Sequence, residues 1–211
     1  MKAPDPALVE AWLTARSISR GLPWPVADHG GLRVDSGQPD EIRRHIFLQP
    51  GDGLRRLGEE IDEPFIALKL CRSGLELMRL LPDRWRLASD HFMLVWNEPG
   101  ARTTLPAGYA LALEQAGQVA VATIRDSAGE LAARGRAVEH GGAFIFDQIG
   151  TEEAHRRRGL GTALMGALMS TRKSSASRPI LTATDDGRAL YHRLGWRDYC
   201  HWSTAVIPPA I

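Results

Sequence analysis

Near the start of the chain Leu8, Val9, Trp12 and Leu13 recur at helical spacing, behind an Asp5-Pro6 pair that supplies a capping side chain and a first-turn proline. Gly21 is the natural stop for that helix. From residue 22 to 97 the pattern changes, with strand signals in GLRVDSG, EIRRHIFLQ, PFIALKL and WRLASDHFMLVW, the last read as one or two strands. Helix signals in GDGLRRLGEEI and SGLELMRLL are interleaved with them, which predicts an α/β lobe over residues 1–100. NEPGARTTLPAG, residues 97–108, concentrates proline, glycine and small polar residues, and is the best linker candidate.

Beyond it, YALALEQ, QVAVATIRD and GELAARGRAVE read as three strands joined by hairpin turns, and GGAFIFDQIGT as a fourth, apolar on both faces and so placed mid-sheet. Leu160, Ala163, Leu164, Ala167 and Leu168 predict a helix whose last turn holds Arg172 and Lys173. RPILTAT is a further strand, DDGRALYHRL a second helix stopped at Gly195, and WRDYCHWSTAVI a closing strand.

Charge and composition narrow the function classes. With 26 basic and 25 acidic residues the net charge is +1, which argues against a dedicated nucleic-acid binder. Cys71 and Cys200 are too few and too far apart for a zinc cluster or a disulfide framework, and His140, His192 and His201 show no metal-ligand spacing, so no metal is expected. Asp5 and Glu10 interrupt what would be the apolar core of a signal peptide, and no apolar run has the length of a membrane span. The expectation is a cytoplasmic protein, monomer or homodimer, without a membrane partner.

The chemistry concentrates in HRRRGLGTALM, residues 155–165. A strand that leads through a glycine turn into a helix forms an anion site, because the first helix amides lack internal partners and the dipole there is positive. Gly159 and Gly161 allow close approach to phosphate oxygens, with Arg156, Arg157 and Arg158 adding charge. The spacing lacks the third glycine of a dinucleotide fingerprint and the Lys-Ser/Thr of a P-loop. A pyrophosphate is the natural occupant.

Together, FDQIGTEEAHRRRGLGTALM and ATDDGRALYHRLGW resemble, in order and spacing, the GNAT superfamily of acyl-CoA-dependent N-acyltransferases. The resemblance implies a mixed, mostly antiparallel α/β (α+β) sheet flanked by helices, with residues 101–211 as the catalytic domain and acetyl-CoA as cosubstrate. It implies a bulged strand at Ile149, Gly150 and Thr151 that pairs with the pantetheine arm, and a pyrophosphate cradle running through Arg156, Arg157, Arg158, Gly159, Leu160, Gly161 and Thr162. Tyr191 matches the tyrosine that protonates the departing thiolate, and Thr184 stands where the family often has an asparagine. Strand alternation puts Asp147 on one face with Ile149 and Thr151, and the resemblance implies a carboxylate at that position, which makes it the first candidate for the base that deprotonates the amine, directly or through water; the competing role is to fix a loop or pair with a nearby arginine.

The acceptor would be a primary amine on a small molecule or a protein, and the rival function is a non-catalytic acyl-CoA-binding module of the same fold. Residues 1–100 carry no comparable motif; they suit either a diverged copy of the fold or a lobe walling the acceptor cleft, with Trp12, Trp24, Trp85 and Trp96 lining a pocket or filling a core. RRLGEE at 55–60 echoes the arginine-glycine turn without its second glycine, and reads as coincidence.

Overall fold

The computed structural model describes residues 3–96 and 104–209. The first half runs α1 (Pro6–Arg20), β1 (Val26–Asp28), β2 (Gly31–Gln38), β3 (Glu41–Phe47), α2 (Asp52–Glu60), β4 (Ile66–Leu70), α3 (Gly74–Met78) and β5 (Arg86–Trp96). The second runs β6 (Tyr109–Ala116), β7 (Val119–Asp126), β8 (Leu131–His140), β9 (Ala143–Thr151), α4 (Leu160–Met169), β10 (Arg178–Ala183), α5 (Asp185–Arg193) and β11 (Trp196–Val206). Among these residues the eleven strands form one sheet, ordered β1-β2-β3-β4-β11-β5-β10-β9-β8-β7-β6. It is mixed and mostly antiparallel, with parallel pairs only at β3/β4 and β9/β10. Most of the linker candidate, residues 97–103, lies outside the described residues.

Each parallel pair is bridged by a helix, α2 between β3 and β4 and α4 between β9 and β10, and both helices pack on the same face of the sheet. The last strand of each half then crosses over. β5 pairs with β10 of the second half, and β11 pairs with β4 of the first. The two crossing strands pair with each other at the centre. Helix α2 is therefore the topological counterpart of α4, but RRLG lies within α2 whereas RRRGLG forms the entry to α4, so the two motifs do not occupy equivalent places. What differs is the entry: four residues separate β3 from α2, whereas eight separate β9 from α4, room enough for a loop that can fold around a ligand.

Helix α1 covers the opposite face. Asp5 caps it by accepting from the Ala7 amide at 3.0 Å, and Gly21 ends it in the left-handed conformation at φ 64°. Its buried side chains, Val9, Trp12 and Leu13 among them, pack with Val34, Ile46, Met93, Val138, Ile145 and Trp202. Because strand residues alternate, the intervening Leu94, Ala137, Phe144 and Phe146 face α4 instead. Trp12 and Trp85 belong to the core, and Trp24 is exposed.

The helix predicted from Leu160 ends at Met169, so Arg172 and Lys173 lie beyond it. Ser170 and Thr171 hydroxyls donate to carbonyls three residues back, and the Glu139 carboxylate takes the Lys173 and Ser174 amides. Those bonds hold the chain in a turn just past Leu168 and Met169, where the apolar spacing itself runs out. WRLASDHFMLVW forms a single strand.

Candidate active site

Strands β9 and β10 are parallel neighbours only at Ala143/Arg178, Phe144/Pro179 and Ile145/Ile180. Past that point β9 continues to Thr151 without β10 beside it, so one edge of residues 146–151 is open. A bulge accompanies the opening: Arg136 opposes Asp147 and Arg134 opposes Gly150, leaving Gln148 and Ile149 against the single residue Gly135. Gln148 carries the strain, at φ 54°, so the bulge falls just before Gly150 rather than on it.

This bulge changes which way the predicted residues point. Asp147 faces α1, while Ile149 packs on the α4 side, near enough to Gly135 that a β-carbon there would come within 2.3 Å of its Cδ1. The expected shared face of Asp147, Ile149 and Thr151 is therefore broken, because alternation restarts after an extra residue. Asp147 is buried and accepts from Arg20 Nη2 at 2.7 Å, Arg20 Nε at 2.8 Å and Ser19 Oγ at 3.0 Å. Burial opposes its charge, but the Arg20 hydrogen bonds and the nearby Arg16 outweigh that and hold its carboxyl below the ordinary value. Such a carboxylate is a weak base and a strong anchor, fastening the end of α1 to β9.

The cradle predicted at Arg156–Thr162 takes shape as one 3-10 turn, Glu153–His155, followed by two left-handed residues, Arg157 at φ 61° and Gly159 at φ 80°. Gly159 is the N-cap of α4, whose first turn presents the amides of Leu160, Gly161 and Thr162. Gly161 faces Thr151, its notional β-carbon 3.8 Å from the threonine Oγ1, so the loop closes back on the open edge of β9. Arg156 Nε donates to the Thr151 carbonyl at 3.3 Å. Arg158 reaches β6, donating at 2.9 Å to the Tyr109 hydroxyl, which lies 3.0 Å from His155 Nδ1. Arg156, Arg157 and Arg158 are all exposed.

On α5, Tyr191 packs against Trp196, ring centroids 5.9 Å apart, and burial raises its phenol above the ordinary value. Thr184 has a structural task as the N-cap of α5, its hydroxyl accepting from the Gly187 amide at 3.2 Å.

The first half and β11 add polar groups that the motifs did not reveal. Arg44, Lys69 and Thr204 alternate with Ile46, Cys71 and Trp202 of the α1-side core, so they lie on that face. His91 follows the same alternation with Met93 and Val95, one residue beyond the Phe92/Ala183 pair at which β10 ends. Burial, then Lys69, lowers its imidazole below the ordinary value, so it is neutral at physiological pH. The one visible sequence signal was Lys69 in PFIALKL, a charge at an inward position of an otherwise apolar strand.

Residues 109–198 match the sequence model of the family described as acetyltransferase (GNAT) domain. These residues form a GNAT acetyltransferase domain. The parallel pair, the bulge and the glycine-capped α4 all fall within that span, and β5 supplies the GNAT domain with a strand from the other half of the chain. In fold the whole chain resembles a GCN5-related N-acetyltransferase from Kribbella flavida, at TM-score 0.67 and 16% identity, over 99% of this chain and 98% of that one. It resembles another from Sphaerobacter thermophilus at TM-score 0.56 and 16% identity, over 100% and 96%. A tandem GNAT protein from the clavulanic acid biosynthesis pathway aligns at TM-score 0.53 and 15% identity, over 74% and 68%. No curated protein matches the chain in sequence.

Proposed function

We propose that the chain transfers an acetyl group from acetyl-CoA directly to a primary amine. The observation that carries this reading is the single-sided opening of β9 past Ile145, bulged at Gln148 and facing the glycine-capped start of α4. The free edge at Ile149, Gly150 and Thr151 offers backbone groups to an extended amide-bearing arm such as pantetheine. Arg157 and the amides through Thr162 offer donors to a pyrophosphate.

In the reaction the neutral amine attacks the thioester carbonyl, the new C–N bond forms, the C–S bond breaks, and the thiolate leaves. Tyr191, its phenol held protonated by burial, supplies the proton to sulfur. The ammonium proton goes to the His91 imidazole, directly or through water, since Asp147 is already committed to Arg20 and Ser19.

A thiol-release screen of amines with acetyl-CoA tests this reading. Tyr191→Phe is expected to lower kcat by about a hundredfold with little change in KM for acetyl-CoA. Coenzyme A binding with no thiol released from any amine would instead support the binding-module alternative.

A further inference from the structure

On the α1 face of the sheet, beside the open end of β9, basic groups outnumber acidic ones in a largely buried cluster. Arg16 and Arg20 descend from α1, Arg44 rises from β3 and Lys69 from β4, and only Glu41 and Asp147 answer them among the described residues. Glu41 is shared: it pairs with Arg44 and lies 3.2 Å from Lys69 Nζ, which also reaches Thr204 Oγ1 at 3.3 Å. Asp147 is taken by Arg20.

Among the described residues that leaves Arg16 with no hydrogen bond: its guanidinium lies over the Trp12 ring, 5.3 Å from the centroid, its closest carboxylate oxygen is 4.0 Å away and its side chain is 18% exposed. It leaves the Nε of Arg44 without a hydrogen-bond partner among the described residues, although Arg44 is only 5% exposed. A buried guanidinium N–H is ordinarily satisfied, and leaving one unmet is costly. The electrostatics of the cluster would favour an added negative charge. Burial, with Arg16 and Arg44 adding to it against the opposing Glu41, pushes Lys69 down to about 8; burial, then Arg20 and Arg44, pushes Arg16 down to about 10.

We propose that this cluster is the acceptor subsite and that the amine substrate carries a carboxylate, held by Arg16, Arg44 and Lys69. The inference rests on the acetyltransfer reading above and adds the substrate class. A carboxylate offers two oxygens to guanidinium forks and an ammonium, which matches the donors left over here. The placement also suits the chemistry. The α4 cradle is on one face of the sheet and this cluster on the other, so the acyl donor and the acceptor approach the opening between β9 and β10 from opposite sides, with His91 on the acceptor's side.

The test compares amino acids with the corresponding amino-acid amides and with 1,4-diaminobutane, at saturating acetyl-CoA, using the full chain. Carboxylate-bearing amines are expected to lead in kcat/KM by about tenfold or more. Arg16→Gln is expected to raise KM for them and to narrow their lead over the amides. Lys69→Met, a change of similar volume, is expected to do the same, which guards against one variant that fails to fold. Calorimetry with N-acetyl amino acids gives a readout that needs no turnover, and Arg16→Gln should weaken that binding. Equal or better activity with amides or the diamine, a lead that survives both variants, or no heat from any N-acetyl amino acid at millimolar concentration would each overturn the proposal. Coenzyme A titrated separately distinguishes the failures. If it binds while the carboxylate is ignored, only the subsite falls; if it does not bind, the acetyltransfer reading falls with it.

Discussion

Replacing Asp147 by Asn separates an anchor from a catalytic base. The carboxylate accepts three hydrogen bonds, two of them from the Arg20 guanidinium, and is 7% exposed. An amide keeps the shape but turns one acceptor into a donor, so whichever way it is oriented an Arg20 N–H faces an NH2 group. Removing one partner of a fully buried pair costs about 3–5 kcal/mol. The Arg20 side chain is 28% exposed and can recruit water, so we expect roughly 2–3 kcal/mol. For a chain of this size that is a fall in Tm of about 4–12 °C at neutral pH. The sign with pH follows from the depressed carboxyl: its contribution is complete above the unfolded value near 4 and is lost as pH falls through the lower folded value. Thermal melts followed by circular dichroism should therefore show the gap between wild type and Asp147→Asn closing in acid. On the proposed mechanism the acid limb of the rate profile should remain in the variant, because His91 rather than Asp147 takes the proton. A variant of undiminished Tm that loses that limb would refute the assignment and restore Asp147 as the base.

Gly161→Leu should raise KM for acetyl-CoA by about tenfold or more while Tm changes little, since a β-carbon there meets nothing closer than Thr151 Oγ1 at 3.8 Å. Steady-state kinetics and a melt on the same preparation check both halves of that expectation. Gly53→Ala acts on the fold instead: its β-carbon would lie 1.7 Å from the His29 carbonyl oxygen, and the forced shift should cost about 3 kcal/mol or more, read as a lower urea midpoint.

How much of this was legible in the chain depends on distance along it. Period-two and period-3.6 patterns report which side chains are apolar within one element, and they placed α1, β2, α2, β9 and α4, together with the glycine turn whose chemistry needs only consecutive residues. They could not report which strands become neighbours. The crossing of β5 and β11, which joins the halves in one sheet, is decided by packing between segments over a hundred residues apart. Nor could spacing foresee the bulge at Gln148, a one-residue insertion that turned Asp147 toward α1 and into the grip of Arg20. The charged cluster of Arg16, Arg44 and Lys69 is likewise invisible in sequence, because electrostatics depends on separation in space. Those residues come from α1, β3 and β4, and only the folded sheet brings their charges within reach of one another.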